Sequence, residues 1–262
     1  MSTVIVVDIG NTSTSAALAQ NGRIRFVRYQ KSRTLTTPAA VRRFINPLAR
    51  KGPLDGSVLS SVVPKMNRAW ISELRRVGSR RPLVVSHKLE LGVKIDYPKP
   101  ASIGADRLAN ACAAADRYGV PVIVADFGTA VTFDIVSAEG AYVGGVIAPG
   151  LPLMTEYLYE RTALLPMIRL KGPHGIVGRS TTEAMRLGAK VGYRGMVHEI
   201  VAFLQRGFHK RFKLCATGGF ARWALEGLNL PFKIDQDLTL YGLSRIYDLN
   251  QNATHARRNR AG

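Results

Sequence analysis

Acidic side chains are scarce in this sequence. Its 262 residues hold 18 Asp and Glu against 37 Lys and Arg, a formal net charge of +19, and residues 1–100 alone carry +13 of that surplus. Such a field draws anions, from nucleotides to nucleic acid, and raises their encounter rate, but it selects no partner. The pairs Arg42-Arg43, Arg75-Arg76 and Arg80-Arg81 are dispersed and read as solvated helix and loop faces. A sequence-specific DNA binder would show a recognition helix or a clustered basic stripe, so any nucleic-acid contact is expected to be nonspecific. Cysteine is nearly absent: Cys112 and Cys215 show no CxxC and no His spacing of a metal site, and both read as small reduced core residues. The histidines, at 87, 174, 198, 209 and 255, form no close cluster and receive no role. No apolar run approaches the ~20 residues that span a bilayer, and the start holds only Val4 to Val7 before Asp8, so a soluble cytoplasmic protein with no membrane partner is expected. Also missing are GxxxxGK[ST], and a GxGxxG between strand and helix, which weighs against P-loop and Rossmann chemistry.

What is present is a phrase written twice. Residues 4–14 read VIVVDIGNTST and residues 122–132 read VIVADFGTAVT. Each is a short apolar, β-branched run that stops at an aspartate followed by glycine, the pattern of a buried strand entering a tight turn. Hydroxyl-rich returns follow, with Asn21-Gly22 and Glu139-Gly140 as hairpin signals, so each half is expected to open with an antiparallel meander of about three strands. Helical patterns come next. PAAVRRFINPLARK places Val41, Phe44, Ile45 and Leu48 on one face, and NRAWISELRRVG does the same with Trp70, Ile71 and Leu74. GADRLANACAAADRYG is an alanine-rich helix closed by Gly119 and Pro121, and the stretch from Ser180 to Phe208 is a long helix expected to be interrupted near Gly192 and Gly195. The length suits two modest domains of roughly 100 to 150 residues. A repeat that occurs only twice indicates a duplicated domain, not a solenoid. The expected division is 1–117 and 118–250, followed by a frayed basic tail over 251–262.

The doubled turn has a chemistry. A phosphate cradle needs backbone N–H groups free to face anionic oxygens, and glycine permits the turn and the close approach. After Gly10, the residues Asn11, Thr12, Ser13, Thr14 and Ser15 supply amide and hydroxyl donors. Asp8 repels phosphate but can hold Mg²⁺ or a metal-bound water, so a carboxylate beside a phosphate loop implies a cation between them. Two such loops, one per domain, would grip a nucleoside triphosphate across a cleft. An aspartate ahead of a glycine also serves simply as a turn cap, but independent caps have no reason to share strand, aspartate, glycine and threonine in register.

These residues resemble the type III pantothenate kinases, members of the acetate and sugar kinase, heat-shock ATPase and actin superfamily. Eight blocks stand in family order: DIGNT from Asp8, SSVVP from Ser60, GADR from Gly104, DFGTAVTFD from Asp126, GGVIAPG from Gly144, STTEAM from Ser180, ATGGFA from Ala216 and DLTLYGL from Asp237. The resemblance implies an α/β fold of two duplicated ribonuclease-H-like domains with a nucleotide cleft between them. It implies transfer of the ATP γ-phosphate to the 4′-hydroxyl of pantothenate, the first step towards coenzyme A, with Mg²⁺ and a monovalent cation, K⁺ or NH₄⁺, and a homodimer. A kinase-like regulator that binds nucleic acid, or a kinase of another hydroxylated acceptor, are the alternatives. The regulator would be expected to lose Asp106 or the first loop, and the chain keeps both.

On matching positions, Asp8, Ile9, Gly10 and the residues through Ser15 form the first ATP loop, Thr129 is a second ATP contact, and Asp126 is associated with the monovalent cation. Gly218 and Gly219 would lie towards the adenosine. Asp106 matches the proposed catalytic base. As it opens a helix, the dipole favours its ionised form and makes it a weak base, which phosphoryl transfer tolerates because its transition state is loose. Gly104, Ala105, Asp106 and Arg107 match the substrate-binding block, with Arg107 a fork suited to the pantothenate carboxylate. Tyr97 and Thr181 match further substrate contacts. Two departures stand out: Ser180 replaces an asparagine, and Val131 stands where many relatives carry threonine.

Overall fold

The computed structural model describes residues 2–78, 80–169 and 175–258. His174 and residues 259–262 of the expected tail lie outside the described residues.

The opening phrase forms β1 (Thr3–Ile9), whose Val4 to Val7 are fully buried. It turns antiparallel into β2 (Ser13–Gln20), which turns into β3 (Arg23–Lys31). The second turn is made by Asn21 at φ 51° and Gly22 at φ 72°, the pair of left-handed residues that a tight hairpin requires. After α1 (Pro38–Ala49), the chain enters β4 (Gly56–Ser61), parallel to β1, then α2 (Pro64–Val77) and the short β5 (Leu83–Val84). The sheet order is β3-β2-β1-β4-β5.

One face of this sheet, with Ile5, Val7, Ile9 and Leu59, packs against Val41, Phe44, Ile45 and Leu48 of α1 and Trp70 and Leu74 of α2. Ile71 is only half-buried, and the buried place next to Leu74 goes to Glu73. Glu73 accepts two hydrogen bonds from Arg42, at 2.8 and 3.1 Å, which tie α2 to α1 and hold its carboxyl below the ordinary glutamate range.

After β6 (Lys94–Ile95) and α3 (Ala105–Tyr118), the doubled phrase returns as β7 (Val122–Phe127), β8 (Ala130–Val136) and β9 (Ala141–Pro149). Then come α4 (Leu151–Arg161), α5 (Thr181–Gly207), β10 (Lys213–Thr217), α6 (Ala221–Leu225), β11 (Phe232–Ile234) and α7 (Leu238–Arg258). The second sheet runs β11-β10-β7-β8-β9-β6. Read from its far side, it repeats the first: a three-strand meander, then a strand parallel to the meander's first member, then another. β6 is an addition, parallel to β9.

Two compact units result. The first takes the chain up to Gly119, the hairpin tip Val136–Val143 and the segment from Asp237 through α7; the second takes Val120–Ile135 and Gly144–Gln236. In the first, α3 and α7 touch so closely that a Cβ on Gly242 would collide with the Ala109 carbonyl, and Thr239 donates to the buried Asn110 side chain at 2.7 Å.

Two expectations need correction. α5 is unbroken across Gly192 and Gly195: each glycine costs about 1 kcal/mol of helix propensity, but Tyr193, Val197 and Val201 are fully buried along the same helix and hold it. α7 runs on into the stretch expected to fray, where neither Gly nor Pro interrupts residues 250–258. Among the described residues, no helix is long and apolar enough to cross a membrane. Both cysteines are free and buried, and burial pushes the Cys112 thiol up to about 12.

Candidate active site

The first loop sits between β1 and β2. Asn11, Thr12 and Ser13 are exposed on its lip, Gly10 and Ser15 are half-buried, and the Ile9 side chain lies in the core. Gly10 donates its N–H to the Ser13 carbonyl at 3.0 Å, and a Cβ on Gly10 would stand 2.9 Å from that same oxygen; glycine is needed for the approach. Thr14 points inward and is fully buried. Its partner is Ser32, which sequence reasoning missed. Ser32 has one hydroxyl proton and gives it to the Gly10 carbonyl at 2.6 Å, so the 2.9 Å bond between the two hydroxyls is donated by Thr14. The Ser32 N–H also donates to Thr12 O at 3.0 Å. Ser32 braces the loop from below, and nothing local in the sequence announces it, because it arrives from the end of β3.

Asp8 lies half-buried near the end of β1, opposite Ser15 on β2 and Ser60 on β4. Directly paired residues point to one face, so a carboxylate and two hydroxyls stand in a row across three strands. Ser60 is fully buried, and its Oγ has no hydrogen-bond partner among the described residues. An orphaned hydroxyl beside a carboxylate is a position that a hydrated cation fits.

The first turn of α3 carries the next group. Gly104 is its N-cap, and the half-buried Asp106 accepts the Arg107 N–H on Oδ1 at 2.8 Å. The carboxyl folds back so far that a Cβ on Gly104 would collide with Oδ1. Ala105 beside it is buried. The expectation of a weak base is modified here. Burial pushes the Asp106 pKa above the ordinary aspartate value, while the Arg107 N–H and guanidinium pull the other way. Desolvation outweighs the Arg107 N–H and the Arg107 charge together.

Arg107 lies over the ring of Tyr142, 5.8 Å from its centroid, and Tyr97 meets the same ring edge-on at 6.1 Å. Tyr142 is fully buried and carried no assignment from the sequence. It reaches this place because β6 pairs with β9 in the register Ile95↔Tyr142, and Asp96 N–H donates to the Tyr142 carbonyl at 2.9 Å. Tyr97, Asp106 and Arg107 are thus gathered in the first unit with the first loop.

Asp126, Thr129 and Thr181 belong to the second unit. Asp126 is half-buried near the end of β7 and Thr129 is exposed in the turn that follows. That turn is fixed by Gly128 N–H to Ala130 O and Gly150 N–H to Thr129 O, both 3.1 Å, and a Cβ on Gly150 would collide with the Thr129 and Gly128 carbonyl oxygens. Gly218, at φ 91°, lets the end of β10 pass against the Phe127 backbone. Val131 is fully buried, so its departure from threonine removes nothing from the exposed lip. Ser180 caps α5 by accepting the Glu183 N–H at 3.2 Å, a task serine and asparagine perform equally well; exposed Thr181 follows as the first helical residue. No group of three or more His, Cys, Asp or Glu able to hold a metal occurs among the described residues.

A sequence profile described as type III pantothenate kinase matches residues 4–202. The chain is 42% identical over 248 residues to the type III pantothenate kinase of Akkermansia muciniphila, covering 95% of this chain and 99% of that protein. It is 39% identical over 252 residues to that of Methylacidiphilum infernorum, covering 94% and 88%. Among solved structures it resembles a protein of Campylobacter jejuni described as a Baf family transcriptional activator, with TM-score 0.59 at 18% identity over 95% of this chain and 99% of that one. It also resembles MreB 5 of Spiroplasma citri bound to AMPPNP, with TM-score 0.53 at 13% identity over 99% of each. At such identities the likeness shows the fold alone, two ribonuclease-H-like domains of the actin-like ATPase kind.

Proposed function

The chain belongs to the type III pantothenate kinase family, and on that premise we propose how its residues divide the work. The enzyme phosphorylates pantothenate with ATP, the first step of coenzyme A biosynthesis. Its first loop, with Gly10 and the donors of Asn11, Thr12 and Ser13, receives the triphosphate, and Thr14 and Ser32 keep that loop in shape. Thr129 adds a contact from the second loop. Asp106 is the catalytic base that orients the 4′-hydroxyl and takes its proton. Arg107 pairs with the pantothenate carboxylate, and Tyr97 and Thr181 complete the acceptor contacts.

Mg²⁺ would be held through Asp8, with Ser15 and Ser60 beside it, in keeping with an ion that binds one or two carboxylates plus substrate phosphates. When bound, it neutralises charge on the β- and γ-phosphates. Asp126 offers the hard oxygen that a K⁺ or NH₄⁺ ion prefers. Exposed apolar side chains on and after α4, among them Tyr157, Leu164, Met167, Ile176 and Val177, are those we assign to the contact of a homodimer. The +19 charge adds only salt-labile, nonspecific nucleic-acid binding.

The observation that carries the assignment of the base is the half-buried Asp106 carboxyl in the first turn of α3, its pKa raised by desolvation and Arg107 adjacent. The test is pantothenate-dependent ADP release with ATP, Mg²⁺ and K⁺. Wild type should turn over, and Asp106→Asn should lose at least about 10²-fold in kcat, the usual worth of a general base. A variant that keeps wild-type turnover would remove Asp106 from the chemistry.

A further inference from the structure

Tyr142 is the fully buried ring against which both Arg107 and Tyr97 are set, at 5.8 and 6.1 Å. A guanidinium within about 6 Å of an aromatic face is attracted by the negative potential of that face, more strongly where water is excluded. Arg107 is half-buried, and its long side chain would otherwise explore many rotamers at an entropic cost on binding. A fork that must meet a carboxylate with two parallel bonds gains from being held in advance. The ring is itself held: the Asp96 N–H grips its backbone carbonyl at 2.9 Å, and the register Ile95↔Tyr142 fixes its height on the sheet.

We infer that Tyr142 is a positioning residue that sets the enzyme's preference for an acceptor bearing a carboxylate, acting through Arg107 and, on its edge, Tyr97. The inference rests on the assignment of Arg107 to the pantothenate carboxylate. Tyr142 itself touches neither the reacting hydroxyl nor the phosphates in this scheme. Its removal therefore weakens acceptor recognition and leaves the phosphoryl-transfer step alone.

The experiment compares two acceptors, pantothenate and its neutral alcohol analogue, in which a CH₂OH replaces the carboxylate. Tyr142→Leu should raise KM for pantothenate about tenfold, the scale of a desolvated cation–π contact, with kcat and the KM for ATP within about twofold. The KM for the alcohol should barely move. Tyr142→Phe, which keeps the ring face, should restore the wild-type value. Equal loss on both acceptors, no loss on either, or a Phe variant as poor as Leu would each overturn the inference. Where Tyr142→Leu does not fold, a series of fluorinated phenylalanines at position 142 drains the ring face at nearly constant volume; the pantothenate KM should climb with fluorine count, and a flat series would count against the idea. Arg107→Ala separates the two layers. If it leaves the pantothenate KM unchanged, the carboxylate assignment itself falls; if it raises that KM and the Tyr142 variants do not, only the role of Tyr142 falls.

Discussion

A carboxylate desolvated at neutral pH works against the fold that holds it. Burial raises the Asp106 pKa, so the folded state binds that proton more tightly than the unfolded chain, whose value is about 3.9. The stabilising contribution of this group is complete below the unfolded value and is lost as pH rises through the folded one. At pH 7 the charge is therefore a cost, and Asp106→Asn should melt no lower than wild type in calorimetry while losing turnover. A clearly lower Tm would mean that the carboxylate is structural. The same shift puts the acid limb of kcat/KM above the ordinary aspartate range, a displacement that Asp106→Glu should alter and remote variants should not. Ser32 makes the opposite case. It is 2% exposed and satisfies Gly10, Thr12 and Thr14 together, so Ser32→Ala should cost about 1–3 kcal/mol in urea unfolding and raise the KM for ATP more than that for pantothenate.

At the scale of elements, two glycines that a Cβ would disturb should fail differently. On Gly104 the collision is with Asp106 Oδ1, the end of a side chain that can rotate, so Gly104→Ala should fold near normally and lose kcat. On Gly150 it is with backbone carbonyls of Gly128 and Thr129, which cannot turn aside, so Gly150→Ala should lower Tm by several degrees and weaken ATP binding. Calorimetry beside steady-state kinetics separates the two outcomes. Much of this architecture was legible in sequence because it rests on local chemistry. Asn21-Gly22 and Gly140 sit at positive φ, and the apolar faces of α1 and α2 follow helical spacing. What escaped was nonlocal. Gly192 and Gly195 suggested a break because propensity is visible in a sequence, while the burial of Tyr193 and Val197 that overrides it is not. β6 is two residues long and exists only because β9 offers it an edge. Ser32 reaches the loop from the turn after β3 and Tyr142 reaches Arg107 from β9, so no motif within the loop or within GADR could contain them.

For the molecule as a whole, the duplication seen in the doubled phrase extends to strand order, since the meander and its parallel companions recur in both sheets. Beyond the end of α4, Leu164 is 90% and Ile176 94% exposed, and both are among the side chains assigned above to a homodimer contact. Sedimentation should accordingly give twice the chain mass, and Leu164→Glu combined with Ile176→Glu should give the single mass; a wild-type monomer would remove the dimer. The ordering of the two units along the chain carries a different message. Because the Val136–Val143 tip and α7 both belong to the unit that begins the chain, that unit is not finished when its own first stretch has left the ribosome. Its sheet, against whose strands β1, β2 and β4 helix α7 packs, must wait with that face uncovered until the second unit has been translated and α7 arrives. For this protein, synthesis from the amino terminus does not deliver the first unit first.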